Sequence, residues 1–215
     1  EKCGLLKLFN INELNNKDLN YNLIQSKVME NGNFENFVFS YSSSFFKTDI
    51  ECDLKENHSS GFVNGAILSQ NNQHHEVKTN IKHIGQTTKS YQKIKSVLKK
   101  NSKAIFQGKI YVDKNAQKTN GYQLSKALLL DKNSEFDSKP ELEIYADDVK
   151  CSHGSTSGSL DENSIFYLMS RGLAREDAKK ILIKGFLTDA IETITNNEIK
   201  KFIFKKLEKN LYEYR

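Results

Sequence analysis

Cys151 and His153 are the residues of this chain whose types and spacing most readily suggest chemistry, and they lie in the stretch Asp147–Gly158, DDVKCSHGSTSG. Residues i and i+2 of an extended strand project from the same face, so a thiol and an imidazole would stand side by side. Such a pair suits zinc, iron or an iron–sulfur cluster. Two ligands make half a site, and neither a CxxC nor an HxxxH pair lies nearby. A metal here would therefore draw further ligands from elsewhere in the fold or from another chain. A Cys–His nucleophile would need the imidazole within reach of the sulfur and an oxyanion hole, and the sequence displays neither. On spacing alone the stronger reading is the plainer one, a small thiol beside a hydrogen-bonded histidine at a corner of the fold.

The remaining candidates carry less. His75 and His83 share a parity, but about 26 Å would separate them on a straight strand. With His74 they read as packed, hydrogen-bonded groups of a β body, whereas His58 sits in a polar joint and faces solvent. Cys3 and Cys52 have no ligand-like neighbours and read as small apolar side chains. No GxxxxGK[ST] or GxGxxG pattern supports phosphate binding, so no ATPase is read here.

The elements that position these residues divide by periodicity. Ahead of Pro140, the single proline, the pattern is short and two-fold. Strand candidates run over Phe62–Ser69, Val77–His83, Ala104–Val112 and Tyr122–Leu130. Asn31-Gly32, Asn64-Gly65 and Asn120-Gly121 are hairpin signals that suit a sandwich. The Asn-rich joints and the even recurrence of strand-sized segments suit a solenoid. Pattern alone leaves the two open.

After Gly158 the period becomes helical. Ser159 or Asp161 can cap a helix over Glu162–Arg171, with Gly172 just past its end. A second apolar stripe runs from about Arg175 to Ile194, and a third helix, capped by Asn196 or Asn197, continues with Ile199, Phe202, Ile203, Leu207 and Leu211. The chain is therefore divided into an all-β unit, 1–155, and a C-terminal helical unit, 156–215, with the Cys–His stretch at their junction.

Composition bounds the function. Three widely spaced cysteines in 215 residues make no disulfide framework and favour a reducing, intracellular setting. No apolar run approaches the roughly 20 residues needed to span a bilayer, and the N-terminus has no signal-peptide layout; a soluble chain without a membrane partner is expected. The net charge of +5, from 32 basic and 27 acidic residues, is spread along the chain. Without a long basic run or an RNA- or DNA-binding pattern, nucleic acid is not expected as a partner.

Three segments resemble one family. PELEIYADDVKCSHGSTSGSLDENSIFYLMSRGL (140–173) is similar to the signature region of the SufB/SufD family of iron–sulfur cluster assembly scaffolds, on its SufD side. FQGKIYVDKNAQKTNGYQLSKALLL (106–130) resembles that family's FxGxIxVxxxAQKTxxxQxxxxLLL pattern, and HHEVKTNIKHIGQTTKSYQKIK its His-rich strand. Together they cover about 61–194. The Cys151–His153 pair favours SufD over SufB. The chain departs from the usual pattern at Ser125, Ser155 and Ser157.

The resemblance implies a mainly β protein: a right-handed parallel β-helix followed by a small C-terminal α-helical domain. It implies a cytoplasmic scaffold without catalytic residues, pairing with a SufB-like subunit through the β-helix and binding a SufC-like ATPase through the C-terminal helices. On that pattern His153 contributes as a metal or cluster ligand, with Cys151 as the second cofactor-binding candidate, to a transient iron–sulfur cluster completed by the partner and not firmly held by this chain. It also implies that the chain begins inside the β-helix of a longer protein, so that a homodimer covering the open edge is expected in isolation. The alternative from another class is a β-solenoid enzyme acting on carbohydrate. Asp147 and Asp148, adjacent and so on opposite faces of a strand, are a poor acid/base pair for it.

Overall fold

The computed structural model describes residues 2–14 and 17–213. Its β region is two parallel sheets that the chain visits alternately. One contains β1 (Leu5–Asn12), β3 (Asn33–Ser40), β5 (Ser60–Gln70), β7 (Lys89–Lys99), β9 (Thr119–Leu129) and β11 (Val149–Gly158). The other contains β2 (Leu19–Val28), β4 (Phe45–Leu54), β6 (His74–His83), β8 (Lys103–Val112) and β10 (Glu135–Ile144). Asn33 pairs with Ser60, Ser60 with Lys89 and Lys89 with Asn120, so each coil takes about 30 residues and stacks on the one before. This is a parallel β-solenoid and not a sandwich. The Asn-Gly pairs that suggested hairpins are absorbed by it: Asn64-Gly65 and Asn120-Gly121 lie inside β5 and β9, and only Asn31-Gly32 falls at a corner.

The corners explain why so many joints are small and polar. Asn31, His58, Thr87 and Lys118 each adopt positive φ, between 55° and 60°. Each also donates its backbone N–H to the corner of the following coil, to Asn57, Gln86, Gln117 and Asp148 respectively, at 2.6–3.1 Å. Stacking satisfies backbone groups that a surface turn would leave to water, and it compensates the left-handed conformation of residues other than glycine. At Gly85 the stack is tighter still: a Cβ there would lie 2.2 Å from the Glu56 carbonyl carbon.

Between the sheets lies a continuous core that includes Phe34, Val38, Phe46, Ile50, Val63, Ile81, Ile94 and Phe106. The other sheet faces separate by partner. The outer face of the β2–β10 sheet is solvated and laced by cross-strand pairs such as Lys47–Glu76 at 3.2 Å and Lys103–Asp137 at 2.8 Å. The outer face of the other sheet is covered where Phe37, Phe39, Ala66, Leu68 and Val97 meet the helices. That is why β5 and β7 alternate between buried and half-exposed at their starts and are buried on both faces further on.

The helices are α1 (Glu162–Ser170), α2 (Arg175–Ile191) and α3 (Asn197–Glu213). Asp161 caps α1 through the backbone N–H groups of Asn163 and Ser164, Gly172 takes φ 94° just past the helix end, and Asn196 Oδ1 accepts from the N–H of Glu198 and Ile199. Ile183, Leu187, Ile191, Ile203, Leu207 and Leu211 close onto the sheet.

Candidate site at the open end of the solenoid

β11 is the last strand of its sheet, so one side of it carries no neighbouring strand. Cys151 pairs in register with Gly121 and His153 with Gln123. Strand alternation aims both side chains toward the lumen between the sheets, and the two fare differently. Cys151 is half-buried against Ile110, Val112, Ala116 and Ala146. A Cβ on Gly121 would sit 3.4 Å from its sulfur, and burial pushes its thiol above the ordinary range. His153 is exposed. A raised thiol pKa means less thiolate at neutral pH, and thiolate is the form that binds metal. As candidate ligands, the half-buried sulfur is thus the weaker and the exposed imidazole the freer.

Around this pair the three serines that depart from the family pattern have partners or space. Ser125 Oγ lies 2.7 Å from Ser138 Oγ and 3.0 Å from Ser155 Oγ, a hydroxyl chain across the lumen, while Ser157 is exposed. Pro140 lies in β10, the edge strand of its sheet, where a missing N–H is tolerated. Asp147 and Asp148 occupy a bend ahead of β11 and not a strand. The backbone of Asp148 is used by Lys118 and Gln117, which gives no paired-carboxylate geometry.

The other histidines are structural. His83 is fully buried, with Nδ1 2.7 Å from Thr88 Oγ1 and Nε2 2.8 Å from Ser90 Oγ. His75 is buried against Phe46 with Nδ1 3.3 Å from Ser40 Oγ. Burial holds both imidazoles down at a pKa of about 4. His74, on the opposite face of β6, lies 2.7 Å from Glu76. His58 is exposed at its corner. Cys52 is buried, which pushes its thiol up to about 11. Cys3, read from the sequence as a small apolar side chain, is instead exposed, at a positive-φ corner position. Among the described residues no group of three or more His, Cys, Asp or Glu side chains converges as a metal site. The structure brings Cys151 and His153 to one face and, among the described residues, brings no third ligand to them.

Two lumen residues next to this end escaped sequence reasoning as site neighbours. Gln123 is buried directly beside His153 in register, and Gly108 leaves room for its side chain from the opposite sheet. The signal was present in the QGK and YQL triplets, but only the coil register shows that the two residues meet. A larger cleft, of about 450 Å³, lies on the outer face of the helix-bearing sheet between Tyr91, Tyr122 and Thr193. It is on the far side of the sheet from the Cys–His pair.

Coil stacking, a lumen-facing Cys–His pair at an open end and a helical unit docked on one sheet define a parallel β-solenoid protein with a helical cover. Residues 1–186 match the family described as SUF system FeS cluster assembly, SufBD core domain, and the chain belongs to that family. It is 32% identical over 173 residues to the iron–sulfur cluster assembly protein SufD of Escherichia coli, covering 80% of this chain and 41% of that protein. To the Bacillus subtilis SufD it is 29% identical over 151 residues, 70% of this chain and 35% of the relative. An iron–sulfur cluster assembly SufBD family protein of Pyrococcus horikoshii is 31% identical over 186 residues, 84% of this chain and 41% of that protein. The chain thus spans about two fifths of the length of these relatives. No helix among the described residues is long and apolar enough to cross a membrane.

Proposed function

We propose that this chain is the β-helix and C-terminal helical part of a SufD-like scaffold, without catalytic turnover of its own and acting in the cytoplasm. Residues 1–155 and 156–215 are its two working units, although β11 itself runs on to Gly158. The β-helix pairs with a SufB-like subunit at the β10–β11 end, and His153 helps to hold a nascent iron–sulfur cluster that is cargo of the assembly. Cys151 is the secondary ligand. The observation that carries this reading is the exposed imidazole of His153 on an edge strand, beside a half-buried thiol and with no third ligand among the described residues. A half-site at an edge is completed by another chain, and an unpaired strand is an open template for pairing. In isolation the opposite, β1–β2 edge of the β-helix is available to a second copy of this chain.

The helical unit binds a SufC-like ATPase. Phe166 is 72% exposed and Tyr167 57%, with Met169, Ile181 and Phe202 also uncovered, so α1 and its neighbours keep an apolar surface after docking on the sheet. Both assignments are tested by reconstitution with SufB and SufC homologues. His153→Ala should abolish cluster assembly while the far-UV spectrum and melting temperature stay unchanged; normal assembly by that variant sinks the role of His153. A chain ending at Leu173 should fail to retain SufC in a pull-down, and undiminished retention would move the SufC site off α2 and α3.

A further inference from the structure

The lumen carries a polar rung in two successive coils, where the coil before has Ile50 and Val63, and in the second of the two the rung is incomplete. Thr79 pairs in register with Gly108, and Gln92 with Gln123. Thr79 is 1% exposed, Gln92 0% and Gln123 1%. In the first of these coils the Thr79 hydroxyl donates to Gln92 Oε1. In the next, Gly108 stands where the hydroxyl was. Gln123 donates through Nε2 to the Glu141 carbonyl at 3.1 Å, while its Oε1 has no partner among the described residues. One coil below, Gln92 Nε2 likewise has none. A buried amide donor and a buried amide acceptor thus sit on adjacent strands in register, each lacking what the other offers.

No side chain at position 108 can supply the missing donor. A Cβ there would stand 2.1 Å from Gln123 Oε1 and 2.7 Å from the Phe106 ring, so serine or threonine displaces the amide before any hydroxyl can reach it. Leaving either group unbonded forfeits its full desolvation cost, and buried polar groups without protein partners are the places where globular proteins hold internal water. We propose that the Gln92–Gln123 rung, at the level of Gly108, is a binding site for one enclosed water molecule that accepts from Gln92 Nε2 and donates to Gln123 Oε1. The bridge carries the lumen's polar file from Thr79 through Gln92 to Gln123, the register neighbour of His153. The site is a property of this chain alone and stands independently of the cluster-assembly reading.

The test is water-selective NMR on the isotopically labelled, unaltered chain. The side-chain amide protons of Gln92 should give a persistent cross peak to water of the sign that marks a long-lived bound molecule, although the residue is fully buried. Absence of that peak, or a direct hydrogen bond from the Gln92 amide to the Gln123 carbonyl in its place, overturns the proposal. Gln123→Met, near in shape and without the acceptor, should abolish the Gln92 water peak. The same peak undiminished in that variant would equally overturn the bridge.

Discussion

At the scale of single residues, the buried imidazoles decide how the protein responds to acid. His75 and His83 are held neutral by desolvation, at a pKa of about 4 against about 6.5 in an unfolded chain. Below about pH 6.5 the unfolded chain takes up protons that the folded chain refuses. Their contribution is therefore intact above that pH and is lost as pH falls toward 4, by up to about 1.4 kcal/mol per pH unit for each histidine. Urea midpoints measured across that window should fall with acidification, and His83→Gln should remove about half of the slope. A slope unchanged in that variant would reassign the acid sensitivity. Their separation along a strand was enough to take His75 and His83 out of a shared metal site, although their parity is the same, and to leave them hydrogen-bonded, packed roles. Sequence could not foresee that Cys151 is half-buried while His153, on the same face, is exposed, because the last coil has neighbours on one side only.

At the scale of elements, the two-fold pattern identified the strands that became β5, β6, β8 and β9, since alternate residues on these strands turn into the lumen between the two sheets. It misled at Asn64-Gly65 and Asn120-Gly121. A turn dipeptide inside a strand reads as a hairpin until the coil register shows Gly65 within contact of Ile94 and Val38, and Gly121 beside Ile110. The corner that sequence could not rank is Gly85, where the backbone of the preceding coil leaves no room for a Cβ. Gly85→Ala should cost roughly 1–3 kcal/mol, by the usual penalty for forcing atoms into a packed position, read as a fall in melting temperature. Asn57→Ala in the same corner stack, where its side chain accepts from Gln86 N–H at 2.9 Å in exposed surroundings, should cost about 1 kcal/mol or less. The reverse order of these two effects would mean that side-chain bonds, and not backbone proximity, hold the corners.

At the scale of the whole molecule, the helices complete the solenoid by covering one outer face, and they do so with the stripe that periodicity recognised. Leu187 is fully buried where α2 meets β5 and β7. Leu187→Ala should destabilise by about 2–5 kcal/mol, and hydrogen exchange should rise first in α2, α3 and the later halves of β5 and β7. Uniform exposure of all strands at once would instead show that the helices and the coils unfold as one unit.

The amino-acid sequence by itself determined the alternation that makes strands, the stripes and caps that make the helices, and a family signature long and ordered enough to select the solenoid over the sandwich. Those are local properties, written within a few residues of where they act. Only the tertiary structure decided which side chains meet: that Gly108 opens space for Gln123, that Ser125, Ser138 and Ser155 join across the lumen, that β5 and β7 are buried on both faces, and that Cys151 and His153 stand together at an uncovered edge. Each of those contacts joins positions at least 13 residues apart or depends on a neighbouring coil's being present or absent, and stacking register alone sets them.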